Sequence, residues 1–137
     1  MGRKITNLKV STEEIKALLQ CKPEVRYQYT LKRIADTERM WTVVGSKAPF
    51  AVLNYEDKRL LPVWSSKEYA QAFCINDRAK FKSIAITLNN FEEYVIDFIC
   101  NEELLINVFP TEKEPIGKIV SLNKFAEDLS ILLKEYE

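Results

Sequence analysis

Histidine is absent from the sequence, which removes the commonest general base near neutral pH, the Ser-His and Cys-His nucleophile pairs and the commonest zinc ligand. Carboxylates could still act in pairs, as in glycosidases, and Glu92-Glu93 and Glu102-Glu103 are adjacent doublets. Adjacent residues on a helix or strand point in different directions, so both doublets read as solvated charge. A hard-metal site needs carboxylates at loop spacings such as Asp-x-Asp-x-Asp, and the sequence has none. Glycine occurs only at Gly2, Gly45 and Gly117, which excludes the dinucleotide fingerprint and the phosphate-cradling loop. No catalytic residue, cofactor or metal is predicted, and the reading leans away from an enzyme.

Recognition is the remaining chemistry. Arg78, Lys80, Phe81 and Lys82 interleave basic and aromatic side chains as a single-strand nucleic-acid binder does, but the stretch is one short connection with Asp77 inside it. Lys plus Arg and Asp plus Glu each number 20, so no global field favours nucleic acid or an anionic membrane. Neither partner is predicted. Trp41, Tyr55 and Trp64 sit on or beside three expected strands, and Arg26, Arg33 and Arg39 come from the helix leading into them. Trp, Tyr and Arg are the types enriched at interaction hot spots, which makes these six a candidate interaction surface. Tryptophans in a small domain equally serve the core.

These side chains must be positioned by a fold that 137 residues can supply as one domain, with 47% apolar and 11% aromatic residues to fill it. Cys21, Cys74 and Cys100 are odd in number and widely spaced, so reduced thiols in a cytoplasm are the simplest account. No apolar run approaches the ~18 residues of a membrane span, and the first residues lack a signal-peptide core.

Met1–Val10 reads as a loose arm. Ser11 and Glu14 then form a capping box for a helix carrying Ile15, Leu18 and Leu19 on one stripe. Pro23 suits the first turn of a second helix running to about Thr37, buried through Tyr27, Leu31, Ile34 and Ala35, with Val25 and Tyr29 off that stripe. Met40–Ser46, Phe50–Asn54 and Leu60–Trp64 are expected to form a three-stranded meander with a turn at Lys47-Ala48-Pro49, and Pro62 either places its strand at an edge or turns its N–H side outward. Ser65 and Glu68 propose a second capping box, with Trp64 folding onto Tyr69 as a hydrophobic staple.

The same device recurs at Thr87-Leu88-Asn89-Asn90-Phe91 and Ser121-Leu122-Asn123-Lys124-Phe125, after the strands Ser83–Ile86 and Gly117–Val120. Between them lie a helix to about Cys100 with Phe91, Tyr94, Val95, Phe98 and Ile99 on its apolar stripe, and the hydrophobic strand Leu104–Phe109, to which the strand before that helix should lie parallel or nearly neighbouring. A final helix, Leu122–Tyr136, must dock through Phe125, Leu129, Leu132 and Leu133. The expectation is an α+β domain, with a single mixed, mostly antiparallel sheet of about six strands against about five helices.

The succession Arg26-Tyr27, Ile34-Ala35-Asp36, Trp41, Leu61-Pro62-Val63-Trp64, Glu68, Ala70 and Val108-Phe109-Pro110, closing on a Leu-rich helix, resembles the bacterial family known as domain of unknown function 2750. The likeness spans roughly residues 23–136, agrees with one small domain and implies no activity. In layout alone, the strand-Pro-Val-aromatic-Ser corner is similar to bacterial domains associated with type III secretion and serine sensitivity. The leading expectation is a non-enzymatic cytoplasmic module that binds another protein. One alternative is a small-molecule sensor or weak enzyme holding an anionic ligand through Arg26 or Arg39 between sheet and helices. Another is a toxin-neutralising or secretion-linked protein.

Overall fold

In the structure, a computed structural model that describes residues 11–45 and 50–135, Ser11 accepts a hydrogen bond from Glu14 N and opens α1 (Thr12–Leu19). Pro23 occupies the first position of α2 (Pro23–Thr37), where its missing N–H has no helical partner to lose. Tyr27, Leu31, Ile34 and Ala35 are all buried, as their spacing predicts. Glu38 adopts the left-handed conformation (φ 56°) and turns the chain into β1 (Arg39–Val44). Next come the hairpin β2 (Leu53–Tyr55) and β3 (Lys58–Val63), then α3 (Lys67–Phe73), a 3-10 turn (Asn76–Arg78) and β4 (Lys82–Thr87). Thr87 accepts from Asn90 N and caps a helical run of α4 (Leu88–Asn90), a π segment (Phe91–Val95) and α5 (Ile96–Asn101). β5 (Leu105–Val108) and β6 (Lys118–Val120) form a hairpin, and Ser121 caps α6 (Leu122–Lys134). Phe91 and Phe125, each four residues after its cap, meet in the core with ring centres 5.7 Å apart.

The fold is α+β, but its strands form two sheets, not one. β2-β3-β5-β6 is a mixed quartet in which only the β3–β5 pair is parallel. β1 pairs antiparallel with β4, from Arg39 opposite Thr87 to Val44 opposite Lys82. The two sheets touch at Trp41 and Trp64, whose backbones exchange two 2.8 Å hydrogen bonds. The meander therefore fails at its first step. β2 already covers the start of β3's free edge, so β1 reaches that edge only past its end, and its ladder goes to a strand far along the chain. The strand before the long helix is likewise not the neighbour of β5; the parallel crossover runs from β3.

Three further expectations change. While Trp64 still pairs with Trp41 the chain stays extended through Ser66, so α3 starts at Lys67, and the proposed Ser65 box is replaced by a cap at Ser66 without a side-chain bond. Trp64 packs on Phe73 and Tyr69 on Phe109 in place of a Trp64–Tyr69 staple, with ring centres 5.2 and 4.7 Å apart. The π segment adds a residue to its turn and rotates Tyr94 out of the apolar stripe to 62% exposure, leaving Phe91, Val95 and Ile99 buried. The arm Met1–Val10, the strand end at Ser46, the turn at Lys47-Ala48-Pro49 and Tyr136 lie outside the described residues. Among the described residues no helix is long and apolar enough to cross a membrane.

Candidate functional site

Polar groups that the core buries converge on the loop between β5 and β6. Phe109 N donates to Val63 O at 2.8 Å and extends the parallel pairing one residue, after which Phe109 turns the chain away in the left-handed conformation (φ 56°). That conformation costs a non-glycine residue about 1 kcal/mol or more, and it persists because the surroundings hold both sides. The Trp64 indole Nε1 donates to Pro110 O at 2.9 Å. Thr111 closes the turn twice, its N donating to Glu114 O (2.8 Å) and its hydroxyl accepting from Glu114 N (2.9 Å). Asn107, a polar residue inside the most hydrophobic strand, donates to Pro115 O (3.0 Å) and accepts from Gly117 N (2.7 Å). A Cβ at Gly117 would lie 2.2 Å from Val108 O, so only glycine lets the two arms of the loop close.

Under the loop lies Arg26, with no exposed surface. Its Nε donates to Phe109 O at 3.2 Å, and Nη1 donates to Cys21 O and to the Glu114 carboxylate at 3.1 Å. Its guanidinium also lies 5.8 Å from the centre of the Phe109 ring. A buried guanidinium is tolerated only when paired and hydrogen-bonded, and here the pairing ties α2, the Cys21 turn and the loop together. Nη2 is buried without a protein partner.

Beside the loop a recess of about 110 Å³ opens between α1, which contributes Ile15 and Leu19, α3, which contributes Tyr69, Ala72 and Phe73, and residues Phe109 to Glu112. A cavity of ~150 Å³ admits benzene, so this one has room for about one side chain. The hydroxyl of Tyr29 donates to Glu14 Oε2 at 3.3 Å, which leaves Tyr69 to donate to Tyr29 at 2.9 Å. Burial, and then that bond, push the Tyr69 phenol well above its ordinary value. Burial and a 2.6 Å bond to Asp128 do the same to Tyr27.

Both phenols are acids whose folded-state pKa is raised, so their contribution is complete below about pH 10 and is lost as pH climbs above it. Each should add about 1.4 kcal/mol per pH unit to the alkaline fall in stability. Urea midpoints from pH 9 to 11.5 should therefore drop less steeply for Tyr27→Phe than for the wild type. Parallel curves would show that Tyr27 ionises as freely in the folded chain as in the unfolded one.

The six residues expected to share a surface do not. Trp64 and Arg26 are both at 0% exposure and belong to the interior, where the indole Nε1 and the Arg26 Nε donate to carbonyls of the loop. Tyr55, 40% exposed, sits at the β2 turn opposite Lys58, a full strand away from Trp64. Trp41 and Arg39 are half-buried on β1. Arg33, also half-buried, pairs with Asp36 at 3.3 Å and lies 5.5 Å from the Tyr29 ring centre. Of the residues read as a basic-aromatic stretch, Arg78 lies 4.2 Å from the centre of the Phe73 ring and donates to Phe73 O. Glu102 of the second doublet pairs with Arg59 at 3.0 Å. Tyr69, Asn107, Thr111 and Glu114 were not singled out as site residues; an asparagine within an otherwise apolar strand was the signal available for one of them.

None of the curated proteins matches this chain. A family model does: the one described as "Protein of unknown function (DUF2750)" matches residues 27–129. That span holds all six strands, α3 to α5, the loop and every recess residue except those of α1, and leaves α1 outside. With well over half its length matched, the chain belongs to the DUF2750 family.

Proposed function

We propose that the chain is a small protein-binding module without chemistry of its own, receiving one apolar side chain of a partner in the recess between α1, α3 and the loop after β5. The observation that carries this reading is an aromatic-walled opening sized for one side chain, set against a loop that Arg26, Trp64 and Asn107 hold in place. A preorganised pocket for one anchor is how small interfaces reach useful affinity, since little remains to be ordered on binding. The lack of histidine supports the non-enzymatic part of the reading. A reducing cytoplasm fits Cys21, Cys74 and Cys100, all unpaired, with burial pushing the Cys74 thiol up and away from reactivity.

Photo-crosslinking tests the site. Benzoylphenylalanine placed at Ala72 should give a defined protein adduct in cells that the same probe at Lys134, on α6, does not give. Identical adduct patterns from both positions would remove the recess from consideration.

A second reading, an anionic-ligand sensor, is favoured by one observation, the unpartnered Nη2 of Arg26 next to a Glu114 carboxylate that is half exposed and could be replaced. A thermal shift with small carboxylates that disappears in Arg26→Met would favour it over the module.

A further inference from the structure

We infer that α1 is an internal ligand of the recess, and that the partner is an amphipathic helix that replaces it. The inference rests on the recess being the binding site and says what fills it. Three features of α1 carry it.

First, Ile15, Leu18 and Leu19 stand at i, i+3 and i+4, the anchor spacing of a helix lying in a groove. Ile15 and Leu19 line the recess and Leu18 is buried. The fit is partial, because the recess stays open beneath them and Leu19 is 42% exposed. Second, α1 has eight residues, fewer than the ~12–15 a helix needs to be even marginally stable by itself, and Leu18 is its one buried residue. It depends on the groove more than the groove depends on it. Third, the groove is built within residues 27–129, which the family model matches, whereas its occupant lies outside them.

The occupant on hand defines the chemistry of its replacement. Glu14, one residue ahead of the first anchor, accepts from Tyr29, over whose ring the Arg33 guanidinium sits. A partner helix should therefore carry three apolar side chains at i, i+3 and i+4 and a carboxylate at i−1. Gln20 joins α1 to the Cys21 turn that Arg26 holds, so α1 swings about Gln20 while the turn stays in place. So short a tether keeps α1 near its groove at an effective concentration of about 1 mM, which a partner must outcompete.

The test uses the full chain carrying Leu18→Glu, which puts a charge on the buried face of α1. The probe is a fluorescein-labelled peptide of residues 11–22 with Cys21→Ser. The peptide should bind this variant at least about tenfold more tightly than the wild type, and Ala72→Trp in the same background should abolish binding. Equal binding to the two chains, or binding to neither, overturns the inference; an adduct from Ala72 in that event leaves the recess reading standing.

Hydrogen exchange on the wild type needs no variant. Amides of Leu18 and Leu19 should exchange about a thousandfold faster than those of Ile106 and Val108, since α1 opens without the rest. Equal protection overturns the inference. A wild type that doubles its mass with concentration, with the peptide dissociating the dimer, would mean that a second copy's α1 and not a separate partner is the occupant.

Discussion

Replacing Arg26 by methionine should destabilise the fold by about 2–5 kcal/mol, because it strands two carbonyls in the interior. Methionine keeps most of the length and packing of the side chain, so the loss is electrostatic and not a cavity. Phe109 O and Cys21 O lose their donor in the interior, at about 1–3 kcal/mol for each group left unsatisfied. Glu114 loses its partner too, but its side chain is 50% exposed and can turn to water at little cost. Glu114→Gln keeps an oxygen that accepts from Nη1 but strips the buried guanidinium of its counter-charge, so it too should destabilise, by about 1–3 kcal/mol. Arg59→Met is the control: its pairing with Glu102 is solvent-exposed, where such pairs are worth about 0–1 kcal/mol. Urea unfolding at neutral pH measures all three. A loss below about 1 kcal/mol for Arg26→Met would reduce Arg26 to a space filler and remove the main restraint on the loop.

What was legible in the sequence was local. Caps at Ser11, Thr87 and Ser121 depend on residues three apart, and the core stripe of α2 on a period of 3.6, so both could be read directly. Pairings that join distant segments could not. β1 and β4 lie some forty residues apart, and nothing in either strand names the other. The candidate site was hidden for the same reason. Arg26 finds its partners 83 and 88 residues along the chain, and Trp64 finds its own 46 residues on, so residue type suggested a surface where position makes an interior. Tyr94 was misplaced by one extra residue in a turn, a change that side-chain spacing alone does not announce.

The two tryptophans, alike in the sequence, should part in experiment. Trp64→Ala should cost about 3–5 kcal/mol, because the ring is wholly enclosed and its removal leaves a cavity against Phe73 and an unpaired Pro110 carbonyl. Trp41→Ala should cost less than about 2 kcal/mol: the ring is half-buried, and the backbone bonds to Trp64 do not depend on it. Acrylamide should accordingly quench the fluorescence of Trp64→Phe, which reports Trp41, far more than that of Trp41→Phe. Equally strong quenching of the two would place both rings at the surface and undo the account of the loop. Trp64→Phe also isolates the polar half of the side chain, since it keeps an aromatic ring beside Phe73 and deletes the donor to Pro110. It should lose about 1–2 kcal/mol and, by freeing a wall of the recess, lower the crosslinking yield from Ala72 while the fold persists. A drop in yield without unfolding would tie the buried indole to recognition through the loop it restrains, although Trp64 itself never reaches solvent.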